Sequence, residues 1–260
     1  MAVGLVPCAL CLLLTACAAR RVALPGDAGA PFPGFRVAYA AVTAACSGVR
    51  TLTAELALSG RAGGRSVRGR AIAGFARPDS MRLEGVAPFG PPAFILAARG
   101  GTATLLLPRD NRVLSPAAPE QILGALTGVA LTPADVQAVL TGCVVPAQGA
   151  TGGRLHENGW VSIEAADGAT LYLERGQSGW RLRAARRPGW ELEYGGARAR
   201  FPQVVRLRSV LSSADVDLTV AVSQLETNMA LAAEAFAVDV PPGALALSMD
   251  ELRRAGPLRE

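Results

Sequence analysis

A mostly β fold with a few short helices, built on one large, curved antiparallel sheet, is predicted by three features of the sequence. Segment after segment alternates apolar and polar residues at the two-residue period of a half-buried strand. Turns containing glycine separate these segments, and one stretch, Pro116 to Cys143, shifts to helical spacing between two such runs. Every strand then has one apolar and one wet face, and the apolar faces converge only if the sheet curves.

The chain opens with an apolar run whose core, Leu5 to Leu14, has the length of a signal-peptide h-region and is marginal as a membrane span. It ends in Leu14-Thr15-Ala16-Cys17, which resembles the lipobox of bacterial lipoproteins. Residues 1–16 are then a lipoprotein signal peptide, and Cys17 is the lipidated N-terminus. The alternative is an uncleaved anchor stopped by Arg20 and Arg21, and no positive charge precedes Leu5 as export signals normally have. Ala18 stands where an aspartate would favour the inner membrane, so the expected location is the outer membrane, lipid-anchored on its periplasmic face. Residues 17–34, rich in Ala, Pro and Gly and without periodicity, read as a lipidated flexible tether.

The remaining residues, 35–260, read as a single domain with ample apolar material for a core, at 50% hydrophobic and 18% charged residues overall. The formal charge of +5 is carried by arginine alone and is spread along the strands, so it marks solvated faces rather than a nucleic-acid surface. Cys46 and Cys143 are the two cysteines left in the mature body. In an oxidising compartment they read as one disulfide, the alternative being a pair of buried free thiols.

Phe35 to Ser47 is Ala-rich and ends at Gly48, which predicts a helix with a glycine cap. Strands follow over TLTAELALSG, SVRGRAIAGFA, SMRLEGV, FILAARGG, TATLLLP and RVLS. Between the third and fourth, Val86 to Phe94 forms a knot of three prolines and a glycine bearing Phe89 and Phe94. Apolar residues at a hairpin tip must meet a membrane, a partner or the domain's own interior. Pro119 then opens a helix with Ile122, Leu123 and Leu126 on one face, closed by Gly128. Thr132-Pro133-Ala134-Asp135 caps a second, with Val136, Val139 and Leu140 on one side. Strands resume from Gly153 through GWVSIEA, ATLYLERG, GWRLRAARR, WELEYG, PQVVRLRSV and VDLTVAVSQLETN, and Ser248 to Glu251 caps a short C-terminal helix.

Catalytic chemistry finds few residues to use. His156 is the sole histidine, which excludes two-histidine metal sites and leaves one possible centre for a Ser-His-Asp triad; its turn-like setting reads as a surface position. Glu191 and Glu193 share a strand face opposite Trp190, Leu192 and Tyr194 and read as a solvated edge. No metal, cofactor or catalytic residue is expected.

The stretch PEQILGALTGVALTPADVQAVLTGC, Pro119 to Cys143, the preceding VAPFGPPAFIL and the lipobox together resemble the LolA/LolB superfamily of periplasmic lipoprotein carriers and receptors, above all the lipidated outer-membrane receptor LolB. The likeness is carried by Leu52 to Gly142 and continues by pattern. It implies a curved antiparallel half-barrel whose apolar concave face is capped by the short helices and shelters acyl chains. The implied lining is Leu56, Leu58, Met81, Leu83, Ile122, Leu126, Val136 and Leu140, and the implied membrane-insertion loop carries Val86, Phe89 and Phe94. The implied partners are acyl chains of lipoproteins or other lipids, a periplasmic LolA-like carrier, and the membrane through Cys17. A monomer with no nucleic-acid partner follows. The implied function is non-enzymatic: accepting lipoproteins from the carrier and inserting them into the outer membrane. An envelope stress sensor or assembly scaffold binding a protein, or a carrier for another lipid, is the second reading, because fold does not fix function.

Overall fold

The computed structural model describes residues 22–144, 149–177, 179–196, 200–210 and 215–255; the signal segment and Cys17 lie outside them. A two-residue strand, β1 (Ala30–Pro31), and helix α1 (Phe35–Thr43) lead into six strands. These are β2 (Thr51–Ala62), β3 (Arg65–Ala76), β4 (Ser80–Val86), β5 (Ile95–Arg99), β6 (Thr102–Leu107) and β7 (Arg112–Ala117). Helices α2 (Pro119–Thr127) and α3 (Pro133–Thr141) come next. A second run follows: β8 (Ala150–Leu155), β9 (Val161–Ala165), β10 (Thr170–Gly176), β11 (Gly179–Arg187), β12 (Trp190–Gly195), β13 (Val204–Ser209) and β14 (Val216–Thr227). A 3₁₀ turn at Ala233–Phe236, a short strand β15 (Leu245–Ala246) and helix α4 (Met249–Ala255) complete the described chain.

All fifteen described strands form one open sheet, in the order β1-β8-β9-β10-β11-β12-β13-β14-β2-β3-β4-β5-β6-β7-β15. Both runs are antiparallel meanders, and they join where β14 pairs with β2, Val222 opposite Leu56. That pairing puts two twelve-residue strands at the centre and brings residues 154 to 175 positions apart into register. The predicted curved antiparallel sheet with short helices on one face is what forms.

Strand β2 shows why. Leu52, Ala54 and Leu56 are buried while Thr51, Thr53 and Glu55 are not, the alternation that one buried face imposes. The inward residues build two apolar clusters. Leu52, Phe75, Met81, Leu96 and Leu105 lie under Ile122 and Leu126 of α2. Val161, Ile163, Leu171 and Leu192 lie under α1 at the other end of the sheet. Helix α2 begins on Pro119 and ends on Gly128, whose φ of +77° is left-handed, as predicted. In α3 the Thr132 hydroxyl accepts from Asp135 N at 3.1 Å, and the Asp135 carboxylate accepts in turn from Thr132 N. A disulfide joins Cys46 to Cys143, tying the end of α1 to the end of α3.

Two sequence expectations change. Helix α1 stops at Thr43 rather than Ser47, and Ala44, not Gly48, caps it: the chain tightens as Cys46 N donates to Thr43 O at 2.9 Å and the disulfide draws Cys46 toward α3. The predicted tether is also shorter than 17–34, because residues 22–34 lie on the sheet. Pro31 pairs with Arg154, Phe32 N donates to Gly153 O, and the Phe32 ring stacks edge-on against Trp180 at 5.9 Å. Strand β8 had no legible period because its glycines erase it. Gly153 is needed there, since a Cβ would lie 2.4 Å from that of Phe35.

The free edge of β7 is closed by the C-terminal segment, with Leu245 N donating to Asn111 O and Leu247 N to Val113 O. Helix α4 then buries Leu252 in the first cluster. Its cap is the predicted Ser248 box: Glu251 accepts from Ser248 N at 2.9 Å and from Arg112 at 2.8 Å. The Ser248 amide first, then Arg112, hold the Glu251 carboxyl down to about 2. A lowered folded-state pKa stabilises above the ordinary value of 4.5, and that contribution is lost as pH falls toward 2. Amide protection of α4 is therefore expected to fall between these limits, and Glu251→Gln to flatten the dependence; hydrogen exchange across this pH range measures it.

Candidate functional site

Where the two meanders meet, the sheet and the α2–α3 pair do not close on each other. They leave an apolar cavity of about 400 Å³, within the 300–1,000 Å³ that small-molecule sites typically occupy. Six of the eight predicted lining residues are there: Leu56 and Leu58 of β2, Leu83 of β4, Leu126 of α2, and Val136 and Leu140 of α3. Met81 and Ile122 are not. Both are fully buried in the adjacent cluster with Phe75 and Leu96, Met81 standing opposite Phe75 in the sheet. The opposite wall, Val205 and Leu207 of β13 with Leu218 and Val220 of β14, escaped sequence reasoning. Its alternation was legible, but the β14–β2 pairing that makes it a wall was not.

Two glycines shape this space in opposite ways. Gly69 continues the inward register of Val67 and Ala71 on β3, and a Cβ built on it meets nothing within 4 Å. It leaves the cavity wide. The space at Gly85 on β4 is already taken: a Cβ there would lie 2.4 Å from the Phe94 ring.

That contact corrects the reading of the proline loop. Phe94 is 5% exposed and belongs to the first cluster, so it does not reach out with Phe89. The hairpin base, Ala93 N to Gly85 O at 2.9 Å and Gly85 N to Phe94 O at 3.0 Å, fixes the ring inward over the residue that lacks a side chain. Phe89, by contrast, is 89% exposed at the tip, and Val86 is 42% exposed below it. Gly90, at φ +77°, turns the chain back. Arg109, from the β6–β7 turn, donates to Phe89 O at 2.6 Å and props the loop from beneath. Ala87, Pro88 and Ala93 also line the cavity, so it opens beside this loop.

The convex face is polar and interlocked. Glu191 and Glu193, expected at a solvated edge, are nearly buried there because Arg208 reaches both, at 2.5 and 3.2 Å, and Arg186 reaches Glu191 at 2.8 Å. His156 is likewise no surface residue. Its Nε2 lies 2.9 Å from Ser162 Oγ and its Nδ1 3.2 Å from Asp27 Oδ1, and Asp27 Oδ2 accepts from Glu157 N. The order of groups is that of a hydrolytic triad, but Ser162 is buried in β9, and neither the apolar cavity nor the small crevice beside Phe236 reaches it. What the chain of bonds does is pin the N-terminal segment to the sheet. The Asp27 carboxyl is lowered, its hydrogen bonds and His156 outweighing desolvation, the largest single effect and the one that acts against them. No described helix is long and apolar enough to cross a membrane.

The chain is similar in fold to LolA-superfamily structures. The LolA-superfamily protein of Nitrosomonas europaea aligns at a TM-score of 0.47 and 11% identity, covering 77% of this chain and 97% of that one. A DUF1329-family protein of Desulfovibrio piger aligns at 0.49 and 11%, covering 77% and 96%. An outer-membrane lipoprotein-sorting protein domain of Vibrio parahaemolyticus aligns at 0.41 and 11%, covering 72% and 89%. No protein-family model matches the sequence, and no curated protein aligns with it significantly. Function has to be argued from the site itself.

Proposed function

We propose that the chain is a non-enzymatic lipid-binding protein of the cell envelope that shelters acyl chains in the cavity between its sheet and α2–α3. The observation that carries this reading is the adjacency of an apolar cavity and an exposed phenylalanine on a proline-stiffened loop at its mouth. Each methylene moved from water into such a space gains about 0.8 kcal/mol, so apolar walls and an entrance suffice without catalytic groups. In its finer form the proposal is a LolB-like receptor. A lipidated Cys17 tethers it to the outer membrane, a LolA-like carrier delivers lipoproteins, and Phe89 enters the inner leaflet during release.

The register of the sheet supports a single membrane-facing end. Arg68, alongside the loop, pairs with Ser59, Ser59 with Thr219, Thr219 with Arg206, and Arg206 with Glu193. Glu193 accepts the backbone N–H of Val22, five residues after Cys17. Val22 and the Phe89 loop are thus level along the sheet, and five residues span at most about 17 Å, so an anchor at Cys17 would hold this level within that distance of the membrane surface.

Phe89→Glu tests the receptor. The side chain is exposed, so thermal stability should stay within about 0.5 kcal/mol of the parent. Lipoproteins should fail to reach the outer membrane in cells relying on this variant, as read by membrane fractionation. Normal lipoprotein sorting would overturn the receptor step and favour a scaffold or a carrier for another lipid.

A further inference from the structure

The charges around the cavity carry more than its apolar walls do. Among the described residues, its only charged lining residues are Arg68, Arg70 and Arg109, and no aspartate or glutamate lines it. The three are not equivalent. On β3 the inward positions are Val67, Gly69 and Ala71, so alternation turns the Arg68 and Arg70 guanidinium groups to the convex side, where Arg70 meets Glu55 at 3.5 Å. Arg109 belongs to a turn and is free of that constraint. It lines the cavity beside the loop, one terminal nitrogen is engaged with Phe89 O at 2.6 Å, and among the described residues no carboxylate pairs with it.

We infer that the cavity takes an anionic amphiphile, with its chain between the sheet and α2–α3 and its acidic headgroup on the Arg109 guanidinium at the mouth. This rests on the acyl-chain reading of the cavity and is independent of the receptor step. An arginine lays its methylenes along apolar surface and keeps a planar fork of donors at the water boundary, which matches the two oxygens of a carboxylate or phosphate. With one nitrogen committed to the loop, the guanidinium keeps further N–H donors for a headgroup at the mouth. No acid among the described lining residues competes for those donors. The same bond makes headgroup binding felt at Phe89, since one guanidinium serves both.

The test compares lauric acid with methyl laurate, which share a chain and differ in charge. Every described element lies between residues 30 and 255, so the chain from Ala18 onward carries all of them. Displacement of a fluorescent fatty acid at pH 7.5 should show the acid binding roughly five- to tenfold more tightly than the ester. Arg109→Gln should bring that ratio close to one, and Arg109→Lys should retain part of it. Inorganic phosphate at matching concentration should displace nothing, because a headgroup without its chain lacks the larger part of the interaction. Equal binding of acid and ester, a preference that survives Arg109→Gln, or displacement by phosphate alone would each overturn the inference and leave the acyl-chain cavity standing. Failure of both laurate species to bind would overturn the cavity reading, and the inference with it.

Discussion

Reducing the disulfide between Cys46 and Cys143, or replacing both by alanine, is expected to cost about 4–5 kcal/mol of stability. The bridge closes a loop of 97 residues, and cross-linking a loop of that length removes about this much entropy from the unfolded chain. For a domain of this size the loss corresponds to a fall in melting temperature of roughly 10–15 °C. Nothing else ties the end of α1 to the end of α3 covalently, and both cysteines are buried, so reduction also leaves two small apolar groups with little to replace the bond. Calorimetry with and without reductant measures the effect, and the Cys46→Ala, Cys143→Ala double variant should be insensitive to reductant. Identical transitions in the parent under both conditions would mean that the cysteines are ordinary buried thiols and that packing alone positions α3 over the cavity.

Much of this architecture was written in local pattern, and the exceptions have a common cause. Period-two runs such as Thr51–Ala62, and caps such as Thr132–Asp135 and Ser248–Glu251, depend on neighbours in sequence, so they could be read directly. The strand at Ala150–Leu155 could not, because Gly152 and Gly153 carry no apolar signal and exist to admit Phe35 from another element. The inward turn of Phe94 depends on the missing side chain at Gly85, nine residues away, and the burial of His156 depends on Asp27, at a sequence distance of 129. The candidate site divides the same way. Its helix and β2 lining followed from amphipathic faces, whereas the β13–β14 wall depended on a pairing that joins the chain's two halves. Local chemistry fixes which face is apolar; only long-range pairing decides what that face meets.

Gly69→Phe is expected to abolish acyl binding while leaving the fold intact, and the contrast with Gly85→Phe is what makes it informative. At Gly69 the backbone lies outside the left-handed region and the added Cβ meets open space, so the new ring grows into the cavity without displacing a neighbour. Its position opposite Leu58 sets it across the cavity, between the β2 wall and the helices. Excluding four or five methylenes of a bound chain removes about 3–4 kcal/mol, a loss of roughly 100- to 1,000-fold in affinity. Filling apolar space also buries the new ring, so the melting temperature should hold or rise. At Gly85 the same substitution drives a side chain into the Phe94 ring, and overpacking of this kind costs about 1–3 kcal/mol or more. Both variants would weaken binding; only the second should unfold early. Fatty-acid titration and thermal melts of the pair separate the two effects. If Gly69→Phe bound acyl chains as the parent does, the space beneath α2 and α3 would not be where lipid goes, and the exposed Phe89 loop would have to be explained by a protein surface instead.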